Sequence, residues 1–586
     1  MQTVKQAIQL ECLYHAPHSN WAYQYDKNTF HLRVRTKKHN VDQVFVLTGD
    51  KYDWENYHDE LKMVKVASDL FFDYWETSVI PENKRFSYGF RFHSGDETVW
   101  LIDSGVCTEE PTAPDGFYER PYLHEIDLFK VPEWAKYAVF YQIIPDRFAN
   151  GNPRNDPKGI SKWGDKPTTE SFFGGDLQGI IDHLDDLTDL GITAIYLTPI
   201  FEAPSNHKYD STDYLEVDPH FGDLKLLKKL VNTAHAKGIK IVLDAVFNHI
   251  SADSPQFTDV IKHGEKSKYA DWFHIHEFPV KVKEDNPNYD AFGFVADLPK
   301  LNTANPEARE FLLTIAQYWL QEVGIDGWRL DVANEIDHSF WRDFRKLVKE
   351  INPEAFIIGE VWTDSLRWLQ GDQFDSVMNY PFSKRLIEFL LTEDMNADTF
   401  AAHIGGLQIR YPLQANEVLF NLLASHDTPR ILTQLGGDKD KLKLATAFLL
   451  TYPGTPCIFY GDEIGLEGAD DPDCRKCMIW EKEGQDLDLL EHYTVMIHLR
   501  KKYPVLSTGR FSFLYTDAQD RSFVYERTDE QSQITIWMNA SEQPSSLALP
   551  LEGQWKDALN NEPIAASDGK IHMELAPYSF RILIRV

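Results

Sequence analysis

The sequence has no long hydrophobic run. No stretch of about 18 consecutive apolar residues occurs in its 586 residues, which argues against a membrane-spanning helix. The N-terminus also lacks a basic start followed by an apolar segment, so we expect a cytoplasmic protein without a secretory signal. Cysteine is scarce, and the five cysteines cannot all pair, which argues against the disulfide framework of a small secreted domain.

Positive charge is also in deficit. The chain has 59 Lys and Arg residues against 91 Asp and Glu, giving a formal net charge of −32. Such a field repels phosphate backbones and anionic lipid, so we expect neither nucleic acid nor a membrane as partner. Hydrophobic residues at 43% and charged residues at 26% are ordinary for a folded globular protein. Aromatic residues reach 13%, and their flat rings suit ligands such as sugars.

Two short patterns resemble metal sites without completing one. Cys474 and Cys477 have the spacing of half a zinc site, but no second Cys pair or nearby His pair supplies the other ligands. His274 and His276 alternate in FHIHEF, and no further acidic or His residue joins them at ligand spacing. We therefore interpret the thiols as free and the two His as part of a loop or strand.

The pattern of apolar residues divides the chain into three parts. Residues 1–125 contain short alternating runs rich in β-branched and aromatic residues, which predict an N-terminal β-sandwich. Over 126–504, apolar strand-like runs alternate with helical stretches, which is typical of a parallel sheet built from βα units. From 505 to 586 the alternation of a β-sandwich returns.

The central part contains eight strand-like runs, and eight such strands predict a closed (β/α)8 barrel of the α/β class. The runs are 138–143, 192–199, 239–249, 325–333, 355–362, 376–380, 417–427 and 455–463. About 56 residues separate His249 from Pro306, far more than a simple βα connection needs. We therefore predict a small inserted domain at about 250–305, after the third strand.

Polar side chains follow several of these strands, where a barrel carries its catalytic groups. They are Asp244, Asn248, His249, Arg329, Asp331, Glu360, His426 and Asp427. Arg329 and Asp331 are two apart on a strand and share a face, so the guanidinium should keep Asp331 ionised as a nucleophile. Glu360 follows the apolar run AFIIG and precedes Trp362, and a carboxyl in such a pocket tends to act as an acid. Two carboxylates in different environments are what glycoside hydrolysis requires.

A single Asp or Glu at a strand end is more often a helix cap or the partner in a loop salt bridge. Here, however, two His, three Asp, one Glu and one Arg on four strands would bury charge without compensation unless function required it. The constellation therefore favours a catalytic site.

Four segments resemble the signature motifs of the α-amylase superfamily, in that family's order: DAVFNH (244–249), GWRLDVANE (327–335), GEVW (359–362) and ASHD (424–427). LPKLN (298–302) is similar to the fifth, and the resemblance spans roughly residues 134–505. The N-terminal β-domain, the Asn334-Glu335 pair and LPKLN resemble one branch, that of cyclomaltodextrinase, maltogenic amylase and neopullulanase. That branch usually has MPKLN, and Leu298 is a conservative departure.

The resemblance implies a role for each matching residue. Asp331 would be the nucleophile, Glu360 the general acid and then base, and Asp427 a third carboxylate that stabilises the distorted sugar. Further residues are implied to bind or shape the pocket for substrate: Tyr209, His249, Arg329, Glu335, Trp362, His426, Asp471 and Arg475.

An oxygen-rich cluster near the first strand is a candidate metal site. Its residues offer the amide, carbonyl and carboxylate oxygens that Ca²⁺ prefers: Asn150, Asn152, Asn155, Asp156, Gly174 and Asp176. The same residue types are typical of any loop, so the residues alone leave both interpretations open. The resembling branch commonly binds Ca²⁺ at this loop, which implies a structural calcium here.

The resemblance implies a retaining hydrolase of α-1,4-glucosidic bonds in cyclodextrins and maltooligosaccharides, which also acts on pullulan and weakly on starch, with some transglycosylation. Alternatives are neopullulanase or maltogenic amylase as the main activity, or a glucan transferase or isomerase. An idle carbohydrate-binding protein is disfavoured because all three carboxylates are present. The branch further implies a homodimer in which the N-terminal domain covers the partner's active site, with the aromatic clusters at 71–75 and 86–92 as candidate lid residues.

Overall fold

The computed structural model of the chain describes residues 7–282 and 286–586. The N-terminal part forms two antiparallel sheets, in the orders β1-β2-β6-β5 and β4-β3-β7-β8-β9, with β10 paired to β7. These strands are β1 Ala22–Gln24, β2 Phe30–Lys37, β3 Gln43–Gly49, β4 His58–Lys62, β5 Val64–Ser68, β6 Phe72–Val79, β7 Phe86–Ser94, β8 Glu97–Ile102, β9 Gly105–Cys107 and β10 Tyr118–Arg120. The predicted N-terminal sandwich is confirmed.

The core of this sandwich is built from alternate residues of both sheets, such as Leu32 and Val34 on one and Phe90 and Phe92 on the other. Every second residue of β7 is therefore inside, as the period of a strand requires. The aromatic cluster at 86–92 was expected to contribute to a lid over a partner's active site. Its four aromatic side chains are all buried, so that expectation is wrong, because packing the sandwich uses them.

The central part contains ten strands, eight of which form one parallel sheet in the order β18-β17-β16-β15-β12-β11-β20-β19. The ten are β11 Phe140–Ile143, β12 Ala194–Leu197, β13 Phe201–Glu202, β14 Asp213–Val217, β15 Lys240–Ala245, β16 Gly327–Leu330, β17 Phe356–Gly359, β18 Ser376–Val377, β19 Phe420–Leu422 and β20 Thr455–Phe459. A parallel bridge between Met378 and Phe420 joins the two ends of the sheet, so the barrel is closed. The predicted (β/α)8 barrel is confirmed.

The helices of the described residues mostly surround the barrel and pack on it through one apolar face. They are α1 Glu133–Tyr137, α2 Pro145–Phe148, α3 Leu177–Asp182, α4 Leu184–Leu190, α5 Leu224–Ala236, α6 Pro255–His263, α7 Pro306–Glu322, α8 His338–Ile351, α9 Tyr380–Leu391, α10 Ala397–Gln408, α11 Leu413–Asn416, α12 Ile431–Gln434, α13 Lys439–Thr451, α14 Leu487–Lys502 and α15 Val505–Thr508. Helix α8 shows the pattern: the Asp337 side chain caps it by accepting from the Phe340 amide, and Phe344 and Val348 lie on its buried face.

The predicted insertion after the third barrel strand is confirmed. It carries α6 and several short 3₁₀ turns, and isolated bridges connect it to itself and to the barrel. One bridge pairs His249 with Lys300, which brings the end of the insertion back to the mouth of the barrel.

The C-terminal part is a β-sandwich, as predicted, with sheets β21-β22-β23-β28-β25-β26 and β24-β27. Its strands are β21 Arg510–Thr516, β22 Ser522–Thr528, β23 Gln533–Asn539, β24 Ser545–Leu549, β25 Trp555–Asp557, β26 Pro563–Ile564, β27 Ile571–Leu575 and β28 Ser579–Arg585. The short helix α15 precedes the first strand, so regular β-structure begins at Arg510.

The five cysteines are all free, and Cys457, Cys474 and Cys477 are buried. Burial raises the pKa of Cys474 to about 11 and that of Cys477 to about 12, so both thiols stay protonated. Across 7–282 and 286–586, no cluster of three or more His, Cys, Asp or Glu side chains is arranged to hold a metal ion. In the same residues, no helix is both long and apolar enough to span a bilayer.

Candidate active site

Arg329, on β16, is the centre of the site. It is fully buried, and its guanidinium contacts three carboxylates. Its Nη1 donates to Asp331 Oδ1 at 2.7 Å and to Asp244 Oδ1 at 3.1 Å, while Nη2 lies 3.0 Å from Glu360 Oε2. The three acidic side chains come from neighbouring strands of the parallel barrel, or from the residues that follow them. The predicted nucleophile and the predicted acid therefore share one cation.

Because three carboxylates share the Arg329 guanidinium, the electrostatics of the site differ from those expected from the sequence. Burial raises the pKa of Asp331 well above its usual value, and the carboxylates of Glu360 and Asp244 raise it further, against the opposing effect of Arg329. The expectation that Arg329 simply keeps Asp331 ionised is thus incomplete, because one cation does not neutralise three carboxylates. The pKa of Asp331 therefore depends on its charged neighbours as well as on its own burial.

Asp244, the last-but-one residue of β15, lies beneath the other carboxylates. Its Oδ2 accepts hydrogen bonds from the Tyr196 hydroxyl at 2.5 Å and from the Tyr209 hydroxyl at 3.0 Å. Burial raises its pKa to about 6, despite Arg329 and the two tyrosines. The three hydrogen-bond donors fix this carboxyl under Arg329, so Asp244 orients the guanidinium rather than facing substrate.

His426 is held in one tautomer by a chain of hydrogen bonds. Gln142 Nε2 lies 2.7 Å from its Nδ1, and its Nε2 lies 2.5 Å from the Tyr209 hydroxyl oxygen. Because Tyr209 donates its own proton to Asp244, its oxygen accepts from His426 Nε2–H. Burial, with the charges of Arg475 and Arg329, lowers the pKa of His426 well below its usual value, so the ring is neutral.

The third carboxylate, Asp427, directly follows His426 and is held by Arg475. Arg475 Nη2 donates to Asp427 Oδ1 at 3.4 Å, and its Nε lies 3.2 Å from Asp471 Oδ1. Burial raises the pKa of Asp427, while Arg329 and Arg475 lower it. Residues that are far apart in the sequence, 427 and 471–475, therefore meet on one side of the site.

His249 lies against the inserted domain. Its Nε2 donates to the Tyr209 carbonyl at 3.2 Å, and Phe292 of the insertion stacks on its ring with centroids 5.2 Å apart. Burial lowers its pKa to about 3, so this imidazole is also neutral. The resemblance implied a hydrogen bond from His249 to a sugar hydroxyl, and in this structure its Nε2 is bonded to the backbone instead.

Lys300, in the LPKLN segment, connects the insertion to the wall of the pocket. Its Nζ donates to Asn248 Oδ1, to the Glu335 carbonyl at 3.0 Å and to Glu335 Oε2 at 3.4 Å. Glu335, implied to shape the pocket, is thus fixed by a cation that sequence reasoning did not single out. Burial lowers the pKa of Lys300, and Glu335 opposes that shift.

Glu360 accepts two hydrogen bonds that fix its carboxyl plane. The Val332 amide donates to Oε2 at 2.9 Å, and Trp362 Nε1 donates to Oε1 at 3.1 Å. Val332 has φ 45° and ψ 40°, a left-handed conformation that costs a β-branched residue on the order of 1–3 kcal/mol. The strained residue, Val332, directly follows Asp331, and its conformation directs its backbone amide toward Glu360. The Trp362 ring lies on Tyr380, with centroids 3.6 Å apart and planes 3° from parallel.

The geometry brings together every residue predicted for catalysis or substrate binding. Sequence reasoning did not assign site roles to Gln142, Tyr196, Lys300 and Tyr380, and it gave Asp244 no role of its own. A polar residue in an apolar barrel strand, such as Gln142 in AVFYQI, was the available signal. Two carboxylates beside one guanidinium, a neutral His and an exposed aromatic platform suit the cleavage of a sugar acetal, with one carboxyl attacking and the other supplying a proton.

The oxygen-rich loop is also assembled. Asn150 Nδ2 donates to Asp156 Oδ1 at 2.8 Å, and Asn152 Nδ2 donates to Asn155 Oδ1 at 3.0 Å. Gly174 has φ +82°, and a Cβ there would meet Asp156 Oδ1 at 2.5 Å, so only glycine leaves this space open. Asn150 Oδ1 is buried and has no hydrogen-bond partner. These features fit a hard cation.

Asp176 has a different part in this loop. Its two carboxylate oxygens accept from the backbone amides of Gly151, Asn152 and Gly179. It thereby caps α3 and attaches the loop to that helix. Its oxygens are already engaged, unlike Asn150 Oδ1.

Three stretches of the chain match known families. Residues 142–486 match the alpha amylase catalytic domain, residues 8–124 the alpha amylase N-terminal ig-like domain, and residues 511–582 the maltogenic amylase C-terminal domain. Along the chain, the three matched regions correspond in turn to the N-terminal sandwich, the barrel and the C-terminal sandwich.

Several characterised proteins are similar over nearly the whole chain. A cyclomaltodextrinase from a Bacillus species is 52% identical over 531 residues, which cover 90% of this chain and 95% of that protein. Neopullulanase 2 from Thermoactinomyces vulgaris is 44% identical over 585 residues, covering 98% of this chain and 99% of that protein. A solved cyclomaltodextrinase structure superposes with a TM-score of 0.95 at 48% identity, covering 98% and 99% of the two chains.

Proposed function

Because the chain belongs to the α-amylase family, in the branch of the cyclomaltodextrinases, maltogenic amylases and neopullulanases, we propose that it hydrolyses α-1,4-glucosidic bonds in cyclodextrins and short maltooligosaccharides. The chain is a glycosidase. Its action on pullulan, weak action on starch and some transglycosylation are part of the same proposal.

One observation carries the proposal: Asp331 and Glu360 lie on the same guanidinium, and Trp362, an exposed ring, donates to Glu360. In the mechanism this supports, Asp331 attacks the anomeric carbon while Glu360 gives its proton to the departing sugar oxygen. Glu360 then removes a proton from water, which displaces Asp331. Two inversions leave the product in the α configuration.

The remaining residues position the sugar and its charge. Asp427, paired with Arg475, stabilises positive charge on the sugar ring. Neutral His426 offers no positive charge to oppose the oxocarbenium ion. The ring of Tyr209, fixed by Asp244, provides a surface for the sugar at the cleavage point.

The direct test is product analysis on β-cyclodextrin, pullulan and starch by chromatography. We expect β-cyclodextrin to open and shorten to small α-configured maltooligosaccharides, with kcat/KM at least about ten times that for starch, because a polymer enters a covered cleft poorly. Conversion of glucan without new reducing ends would instead identify a transferase or isomerase. No activity on any α-glucan would refute the proposal.

We infer a structural Ca²⁺ at the loop after β11. Asn150, Asn152, Asn155 and Asp156 would hold it next to Gly174, with Asp176 fixing the backbone around them. A bound cation there would connect the 150–156 loop to the 174–176 turn and would leave the chemistry to the carboxylates on Arg329.

Removal of this ion is expected to lower stability more than turnover. Dialysis against EDTA should reduce the Tm by several degrees while kcat at 25 °C changes by less than about twofold, because a ligand that binds only the folded state stabilises it. Differential scanning calorimetry with and without added Ca²⁺ measures this. If the Tm changes neither with EDTA nor with added Ca²⁺, and elemental analysis detects no calcium, the inferred calcium site is wrong.

We further infer a cytoplasmic homodimer that forms through the N-terminal domain. Tyr52 is 73% exposed and Tyr57 is 41% exposed, and both lie in the connection between β3 and β4, so this loop offers aromatic surface to a partner. The intracellular maltogenic amylase of Bacillus subtilis, 46% identical over 540 residues, supports a cytoplasmic location.

A further inference from the structure

A cavity of about 950 Å³ adjoins the active site without containing its carboxylates. Trp362, Tyr380 and Thr428 line it, together with residues of α9 and α10. The turn between β5 and β6 of the N-terminal domain, with Leu70 and Phe71, also lines it. Thr428 directly follows Asp427, and Trp362 donates to Glu360, so the cavity borders the residues around the place of cleavage.

Phe71 is presented to this cavity by a rigid turn. The Asp69 carboxylate accepts from the amides of Phe71 and Phe72, each at 2.7 Å, and from the Tyr74 hydroxyl at 2.7 Å. The Phe71 side chain is nevertheless 69% exposed. Leu70, next to it in the turn, is 46% exposed, so the two residues together present a contiguous apolar surface to the cavity, as binding surfaces do.

The turn is also fixed to the barrel. A Cβ at Gly405 of α10 would lie 2.3 Å from the Ser68 carbonyl oxygen, so glycine at this position lets strand β5 touch the helix. The N-terminal domain and the barrel therefore form one continuous cavity wall, and the position of Phe71 relative to Trp362 is set by the fold.

The polar lining favours a neutral, hydroxyl-rich ligand over a protein. Charged side chains interleave with the apolar ones along α9, and Arg385 Nη1 is already paired with Glu388 Oε2 at 2.6 Å. Burial, with the charge of Arg385, lowers the pKa of His403, which leaves a neutral ring that can both donate and accept. The cores of protein interfaces are depleted of such charged residues, whereas paired charges and aromatic faces together suit sugar hydroxyls and C–H faces.

We propose that this cavity is a second glucan-binding site, which holds the distal part of a linear α-glucan whose other part lies at Asp331 and Glu360, with the Phe71 ring as its outer sugar platform. The inference rests on the proposed function. A volume near the upper end of ordinary ligand pockets accommodates several sugar rings. Glucan chains too short to extend beyond Trp362 gain no affinity from this cavity.

The test compares Phe71→Ala with Ile80→Ala, a matched control in the same domain that is 72% exposed and outside the cavity. For Phe71→Ala we expect the ratio of kcat/KM for maltoheptaose to kcat/KM for maltotriose to fall by about fivefold or more, chiefly through KM for the longer chain. Ile80→Ala should keep the ratio of the unmodified protein. An unchanged ratio in Phe71→Ala would overturn the proposal.

Binding measured without turnover separates this proposal from the proposed function. Calorimetry with maltoheptaose on the Asp331→Asn variant should show tighter binding than on the Asp331→Asn, Phe71→Ala variant. If this difference is seen but no glucan is hydrolysed by the unmodified protein, the second site stands and the proposed function fails. If Phe71→Ala instead changes the sedimentation coefficient and leaves glucan affinity unchanged, the surface is a contact between copies of the chain and the proposal is wrong.

Discussion

Replacement of Asp331 by Asn is expected to lower kcat on β-cyclodextrin by roughly four powers of ten or more, because it removes the nucleophile of a covalent mechanism. The fold should not suffer. The pKa of Asp331 is raised in the folded protein, so its charged form is disfavoured there, and a neutral side chain of the same shape relieves repulsion from Glu360 and Asp244. We therefore expect an equal or higher Tm at neutral pH.

Steady-state kinetics and thermal unfolding of the same preparation measure both effects. Asp253→Asn is a suitable control, since Asp253 is an exposed carboxylate that follows β15 near the same end of the barrel. It should keep both kcat and Tm within a small factor of the unmodified protein. If Asp331→Asn keeps activity within about tenfold of the unmodified protein, Asp331 is not the nucleophile.

Replacement of Glu360 by Gln is expected to lower kcat on maltotriose by about three powers of ten, but to spare the first step with α-glucosyl fluoride. Fluoride departs without a proton, so the loss of a general acid matters little there. Burst kinetics with the fluoride and steady-state kinetics with maltotriose distinguish the two steps. Equal losses on both substrates would mean that Glu360 is not the acid.

A second variant separates proton donation from positioning. Glutamine has one accepting oxygen, whereas Glu360 accepts from both the Val332 amide and Trp362 Nε1. Trp362→Phe removes the second of these bonds and keeps the carboxyl. We expect its losses to be similar on maltotriose and on the fluoride, unlike those of Glu360→Gln, because it alters binding and orientation for both substrates.

The eight barrel strands and the two flanking sandwiches follow from local sequence. Runs such as ITAIYLTP and RSFVYERT carry their own periodicity, and the ordering of these runs along the chain leaves few architectures open. Strand ends were overestimated: the run at 239–249 gives a strand only over Lys240–Ala245, because the chain turns at the barrel mouth and buries Asn248 and His249 against loop residues. Barrel strands bring their carboxyl ends together, which placed Asp331, Glu360 and Asp427 near one another, whereas the role of Asp427 came from the resemblance to the family.

Which side chains of the site contact one another was decided only by the tertiary structure. The sequence around β16 shows that Arg329 and Asp331 lie on one face of the strand. It does not show that Asp244 and Glu360 contact the same guanidinium, because those contacts depend on the register between β15, β16 and β17. The bond from Lys300 to Glu335 likewise depends on how the insertion returns to the barrel. Phe71 and the aromatic residues of 86–92 have similar sequence surroundings, yet one is exposed at a cavity and the others form a core. Local periodicity determines which face a side chain occupies, whereas its burial and its partners are determined by the element that packs against that face.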